Sequence, residues 1–198
     1  MIEFILNNKI WSTAQVIGLG GLFMICLSYL QNSNKRIVGY QLIGTIFFFF
    51  HFLIQAPLNP SVYAGALLNG ASAVRCVVFY MRPKKWASHI AWLYIFIFIF
   101  GLCGVSSCLL SMNFSDGPVP ITTFIAIIIS TIATIIGTVA IYIINPKKTR
   151  ALGLVASSGW FCHNIIIWTI PGMITELITM TSIIIGMVKF DFKKNIQK

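Results

Sequence analysis

Residues 119–144 read VPITTFIAIIISTIATIIGTVAIYII and are followed at once by Asn145, Pro146, Lys147, Lys148, Thr149 and Arg150. This uncharged run exceeds the roughly 20 residues that a helix needs to cross a bilayer core, and a basic turn ends it. Working outward, punctuation by charge, Pro and Gly divides the remaining chain into six similar runs, at 12–30, 37–54, 61–81, 88–110, 151–170 and 172–190. The connections are short; the longest runs from Ser111 to Pro118 and carries the turn residues Asp116, Gly117 and Pro118. The reading is an all-α integral membrane protein of seven transmembrane helices.

Composition agrees. Of 198 residues, 58% are hydrophobic and 9% charged, where soluble domains carry roughly a quarter charged residues. So few charges cannot coat an apolar body in water, and the solvent implied is a lipid bilayer. Glu3, a single early lysine and the lack of a small-residue cleavage site argue that the first span is retained and is not a signal peptide.

The net charge of +10 comes from 14 Lys and Arg against 4 Asp and Glu. Eleven of these bases lie in clusters at alternate connections: Lys35 and Arg36 after the first span, Arg82, Lys84 and Lys85 after the third, Lys147, Lys148 and Arg150 after the fifth, and Lys193, Lys194 and Lys198 after the seventh. Bases at alternate connections predict an outer N-terminus and an inner C-terminus, because positive loops stay on the cytoplasmic side. No basic stripe interleaved with aromatics is present, so nucleic acid is not an expected partner.

Catalytic chemistry finds no foothold. The cysteines, Cys26, Cys76, Cys103, Cys108 and Cys162, form no C-x-x-C pair, and no metal site or disulfide framework follows from their spacing. No nucleophile with a neighbouring base and no phosphate-cradling loop stands out; Gly18, Gly20 and Gly21 lie inside an apolar run and suit close helix packing. The expectation is a protein that is not an enzyme and has no cofactor.

Sliding the chain against itself by 114 residues superposes Arg36 on Arg150, Gly39 on Gly153, Pro57 on Pro171 and Arg75 on Lys189. The expected plan is therefore two parallel three-helix bundles, 12–85 and 119–190, joined by a linker helix and outer loop at 86–118, with a cytoplasmic tail at 191–198. Three crossings reverse the chain, so an intervening helix restores the direction and makes the total odd. Parallel repeats are an established transporter plan, with substrate sites between the halves near the midplane.

The small size, the three-plus-one-plus-three plan, Tyr29, Leu30 and Gln31 before Lys35 and Arg36, and Leu68, Asn69, Gly70 and Ala71 followed by Arg75 resemble the YgjV-type bacterial inner-membrane proteins. These are similar in turn to the SWEET and PQ-loop transporter superfamily. The resemblance implies a multi-pass inner-membrane location and a SWEET-like small-solute transporter of unknown substrate. It also implies a pocket asparagine in the third helix, where Asn69 stands. At an offset of 114 its counterpart in the seventh is Ile183, and the Pro-Gln signature reads Leu30-Gln31 in one copy and Asn145-Pro146 in the other.

Polar groups at bilayer depth cost free energy and call for a reason. Arg75 is near enough to the inner surface for its stem to snorkel. Asn69, about 13 Å deep at 1.5 Å per residue, suits either a substrate contact or an interhelical hydrogen bond. His163, with Asn164 beside it, and Glu176 flank the Pro171-Gly172 break and would reach similar depth, either as a proton-sensitive or cation-binding couple facing the space between the repeats or as a bonded histidine and a wet carboxylate. His51 joins the candidate substrate-binding set, although its 112-residue separation from His163 does not fit the offset of 114. Pro57 and Pro171 are candidate hinges for rocking of one bundle on the other. A small neutral or zwitterionic solute fits this lining. The rival reading is a non-transporting membrane scaffold or partner subunit, and small-residue faces leave a homo-oligomer open.

Overall fold

The computed structural model describes residues 9–55, 63–114 and 118–192, and they hold seven α-helices and no strand. In chain order these are α1 (Lys9–Tyr29), α2 (Asn34–Gln55), α3 (Tyr63–Tyr80), α4 (Ala91–Phe114), α5 (Ile121–Tyr142), α6 (Pro146–Ile166) and α7 (Ile170–Met187). A 3-10 turn, Lys85–Ser88, precedes α4, and one π turn, Val188–Phe192, prolongs α7. Five stretches are long and apolar enough to cross a membrane: α1, α2, α5, Ala91–Leu109 of α4, and α7 with its extension. The apolar part of α3 is the shorter Gly65–Tyr80.

Two helices start earlier than hydropathy suggests, because capping decides where they begin. Asn145 accepts hydrogen bonds at Oδ1 from the Lys147 and Lys148 amides, at 3.0 and 3.4 Å, and Pro146 follows it with its φ already set for a helix. Ser33 Oγ likewise accepts from the Arg36 amide at 3.3 Å, ahead of α2. Arg36 and Arg150 are therefore helical and not turn residues, and α6 opens with a charged first turn.

Burial is inverted relative to a soluble globule. Ile, Leu, Val and Phe populate the outer surface, with Leu19, Phe98 and Ile121 all more than three-fifths exposed, whereas Ala, Ser and Thr recur in the interior. Lipid offers no hydrophobic gain for burying an aliphatic chain, so helices associate through small residues that let backbones approach. At the α1–α2 crossing, a Cβ on Gly21 would lie 3.1 Å from the Gly44 carbonyl oxygen, and one on Gly44 equally close to the Gly21 carbonyl.

In the first three helices α1 packs on α2 and α2 on α3; in the last three α5 packs on α6 and α6 on α7. Many of their buried positions recur at fixed separations. Ala14, Gly18, Gly21 and Ser28 of α1 lie 112 residues before Ala126, Ser130, Ala133 and Ala140 of α5, all buried. At the same separation, the buried Ile37, Val38, Gln41, Gly44 and Thr45 of α2 meet Thr149, Arg150, Gly153, Ala156 and Ser157 of α6. Helix α3 runs 107 residues before α7, and Ser72, Arg75, Cys76 and Phe79 meet Thr179, Ser182, Ile183 and Gly186.

The offset of 114 fails this comparison: Arg36 is exposed while Arg150 is buried, and Arg75 is buried while Lys189 is exposed. Two residues turn a helix by about 200°, so that offset matches opposite faces. It pairs bases by chemical type, although one faces solvent and the other an ion-pair partner.

Helix α4 lies against the seam between α3 and α5. Phe96 and Phe100 enter a core with Val38, Cys76, Val78, Phe79, Ala87 and Ile141, whereas Tyr94 and Phe98 on its other side are exposed. The Phe79 ring meets Phe96 edge-on with centroids 5.6 Å apart.

Candidate functional site

Contacts between the first three and last three helices gather at the end that carries the basic connections. Asn34 Nδ2 donates to the Ile143 carbonyl at 2.6 Å, and Arg150 Nη1 to the Gln31 carbonyl at 2.9 Å. Arg82 donates to the Tyr142 carbonyl, its guanidinium 4.0 Å from the centre of the Tyr142 ring. One turn deeper, Ser182 Oγ donates to the Cys26 carbonyl at 2.6 Å and Arg75 Nη1 to Thr138 Oγ1 at 2.7 Å. These last two bonds correspond, since Thr138 is 112 residues after Cys26 and Ser182 is 107 after Arg75.

Tyr29 adds to this closure. Its ring crosses from α1 onto Gly153 of α6, where a Cβ would lie 2.8 Å from Cε1, and Gln41 of α2 lies near its hydroxyl. A bulkier residue at 153 would displace the ring. Gly186 of α7 lies directly beneath the Tyr29 carbonyl.

Above this level burial is uneven: Ala14, Ala66, Ala126 and Asn164 stay buried, while two interior stripes lose burial part-way. Along α3 the stripe Phe79, Cys76 and Ser72 is at most 7% exposed, and the next residue up, Asn69, is half-buried. Along α7 the stripe Gly186, Ile183 and Thr179 is likewise buried, and Glu176 above it is half-buried. Asn69 and Glu176 are 107 residues apart and each stands six residues after its helix begins. At a separation of 107 Asn69 meets Glu176, where the offset of 114 meets Ile183, and the α2–α3 connection is longer than the α6–α7 turn. The Asn69 Nδ2 donates to the Gly65 carbonyl of its own helix at 2.9 Å, and the Glu176 carboxyl lies near Ser157 of α6.

The histidines lie elsewhere. His51 places Nδ1 2.6 Å from the Ala14 carbonyl oxygen and Nε2 3.1 Å from Gln55. His163 places Nδ1 2.8 Å from the Ala126 carbonyl oxygen and packs edge-on against Trp160. Both histidines reach back 37 residues to a carbonyl of the neighbouring helix, and they are 112 residues apart. His163 and Glu176 form no ion pair: the imidazole is turned onto α5 while the carboxyl lies near Ser157 of α6. Asn164 is buried against the backbone of Gly172, where a Cβ would overlap its amide, and so packs the α6–α7 turn.

Of the proposed hinges, Pro171 occupies the first turn of α7, where its missing N–H breaks no helical hydrogen bond, so it starts a helix and bends none. Pro57 lies outside the described residues. Arg75 does not snorkel; it is 9% exposed, tied to Thr138, and its guanidinium carbon lies 5.0 Å from the centre of the Phe100 ring on α4.

A buried ion pair was not legible from spacing. Arg150, 1% exposed, donates from Nε to Asp191 Oδ2 at 2.9 Å and from Nη2 to Oδ1 at 2.5 Å. The available signal was Asp191 itself, one of few acids in the chain, lying just beyond the last apolar run.

A family model described as "Bacterial inner membrane protein" (Imp-YgjV) matches residues 12–194, which include all seven helices but the first few residues of α1. The chain belongs to the YgjV family. Searches of the curated proteins and of the solved structures returned no match. For a YgjV-family inner membrane protein the exposed aliphatic belt is the lipid-facing surface, and polar side chains within it carry the functional question.

Proposed function

We propose that this YgjV-family protein is a multi-pass small-solute transporter of SWEET-like plan, with no catalytic activity. In this reading α1–α3 and α5–α7 are parallel three-helix units related by an axis along the membrane normal, α4 is the linker, and the basic end faces the cytoplasm. The recurrence of buried positions at 112 and 107 residues supports the duplication. Convergence of the basic connections on one end of the bundle supports the orientation.

The observation that carries the functional reading is the change in packing along the interior stripes. They are buried from Ser72 and Thr179 down to the basic end, and half-buried at Asn69 and Glu176. A solute entering from the opposite end would stop at those two side chains. They stand at matching positions of the third and seventh helices, where the SWEET resemblance implies a pair of pocket residues.

Transport would follow from rocking of the two units. Opening the basic end requires Tyr29 to leave Gly153 and the bonds Asn34–Ile143, Arg150–Gln31 and Arg82–Tyr142 to break. The turn at 167–169 and the contacts of His51 and His163 lie within single units and would move with them as rigid parts.

The test is solute uptake in proteoliposomes across sugars, amino acids and polyols, with Asn69→Ala and Glu176→Gln. The expected result is saturable uptake of at least one class, reduced tenfold or more by either change. Uptake that neither substitution alters would overturn the site assignment, and a protein inert to every class would favour the scaffold reading.

A further inference from the structure

Among the described residues, the basic end of the bundle carries exposed positive charge with no exposed acid at the same end. Lys35 and Arg36 in the first turn of α2, Lys84 and Lys85 before α4, and Lys147 and Lys148 in the first turn of α6 are all exposed. The described acid at this end is Asp191, which is buried and bound to Arg150. No acid stands in the first turn of α2 or α6 to offset these bases, and a cation there also meets the positive end of the helix dipole.

The fold brings these two first turns together across the halves. Asn34 Nδ2 donates to the Ile143 carbonyl at 2.6 Å and to Thr149 Oγ1 at 3.3 Å. Lys35 and Arg36 follow Asn34 by one and two residues, and Lys148 and Lys147 precede Thr149 by one and two. Four cations thus flank one polar junction, and their mutual repulsion works against the closure that Asn34 makes.

Apolar groups at the same level decide which anion the surface suits. The Lys35 ammonium lies 5.1 Å from the centre of the Tyr80 ring, and that ring is exposed. Trp86, next to Lys85, is exposed beside Trp92, which it meets edge-on, and Ile144, three residues before Lys147, is exposed as well. A free phosphate gains nothing from such neighbours. A phospholipid does, because its phosphate meets the cations while its glycerol and upper acyl chain cover the rings and the aliphatic side chain.

We infer that the basic end is a docking surface for anionic phospholipid, whose headgroups lie over Lys35, Arg36, Lys147 and Lys148 and strengthen the closure between the halves. Headgroup charge removes the repulsion around the Asn34 junction, which couples the lipid composition of the leaflet to the stability of this end. Such a surface requires only that the chain be embedded in a bilayer, whether or not it transports.

The experiment follows thermal melting of the full-length protein in a non-ionic detergent during titration with phosphatidylglycerol, phosphatidylcholine or inorganic phosphate, at low and at high salt. The expected result is saturable stabilisation by phosphatidylglycerol and not by the other two, weakened at high salt because salt screens exposed charge. Removing either pair, Lys35→Gln with Arg36→Gln or Lys147→Gln with Lys148→Gln, should weaken the apparent affinity about tenfold or more. Lys147→Arg with Lys148→Arg should keep it, as should Lys9→Gln, which removes an exposed base at the other end of α1. Lipid-free melting reports that each variant folds. Equal stabilisation by phosphatidylcholine, or a phosphatidylglycerol effect that both paired variants retain, would overturn the inference. Stabilisation by inorganic phosphate at matched concentration would overturn it too, by showing that the cations need no lipid. The wild-type protein decides even where a variant fails to fold, since a phosphatidylglycerol effect untouched by high salt would exclude a charge-based site.

Discussion

Arg150 and Asp191 meet through two hydrogen bonds although 41 residues separate them, and both side chains are almost sealed from solvent. The π turn that ends α7 carries Asp191 to α6, and Arg150 spends its remaining nitrogen on the Gln31 carbonyl of the first half. The pair therefore fastens the π turn to α6 and, through Arg150, to the connection between α1 and α2.

Removing one member leaves the other buried and uncompensated. Asp191→Ala should lower stability by about 3–5 kcal/mol, the usual cost of a stranded buried charge. Arg150→Met with Asp191→Leu should cost less than Asp191→Ala alone, because no charge is stranded. Thermal melting of the wild-type protein and the two variants in one detergent checks the order; a double variant weaker than Asp191→Ala would show that the pair's bonds, and not its desolvation, dominate.

The histidines give a second prediction. Each joins two helices of one half by a single bond to a carbonyl, Ala14 for His51 and Ala126 for His163. Interhelical hydrogen bonds in membranes average about 0.6 kcal/mol. His51→Ala and His163→Ala should thus each cost about 1 kcal/mol or less, and the double variant should equal their sum, since separate helix pairs share no partner. A cooperative loss in the double variant would mean that the two sites communicate.

Reading outward from residues 119–144 gives the helix number and order, because hydropathy and lipid thickness constrain the same quantity. Helix starts are less legible: α2 and α6 begin at Ser33 and Asn145 caps placed ahead of charged first turns, where a hydropathy reading ends the run. The correspondence between halves was misplaced by two residues because Arg36 and Arg150 look alike in sequence, and only packing separates a solvent-facing arginine from a buried one. Glu176 stands out from its cost in lipid alone, whereas its match with Asn69 depends on the unequal connections before α3 and α7. The partners of Arg75, Arg150 and Tyr29 come from helices far apart in the chain, and no local pattern encodes them.

Two glycines separate close packing from mere flexibility. A Cβ on Gly186 would run into the Tyr29 carbonyl, which is backbone and cannot swing aside, while one on Gly101 of α4 meets nothing within 4 Å. Gly186→Ala should destabilise by about 1–3 kcal/mol through overpacking. Gly101→Ala should be neutral or stabilise by up to about 1 kcal/mol, since alanine is the better helix former. Melting of both variants checks the contrast, and equal effects would count against the tight α1–α7 crossing.

Trp168 closes α6 in an unusual way. It takes φ 56°, in the left-handed region, with its amide bonded to the Ile165 carbonyl and the Thr169 amide to the Asn164 carbonyl at 2.8 Å. This is the Schellman termination, in which glycine usually fills the left-handed position because it has no Cβ to clash. A side chain there costs about 1–2 kcal/mol, and Trp168 is 75% exposed, so tight packing does not offset it. Its indole is placed instead to sit among lipid headgroups, as Trp does at membrane interfaces. Comparison with alanine cancels the loss of the indole: Trp168→Gly should melt above Trp168→Ala by the equivalent of about 1 kcal/mol in detergent. Equal melting of the two variants would mean that the turn gives up its left-handed residue once the indole is gone.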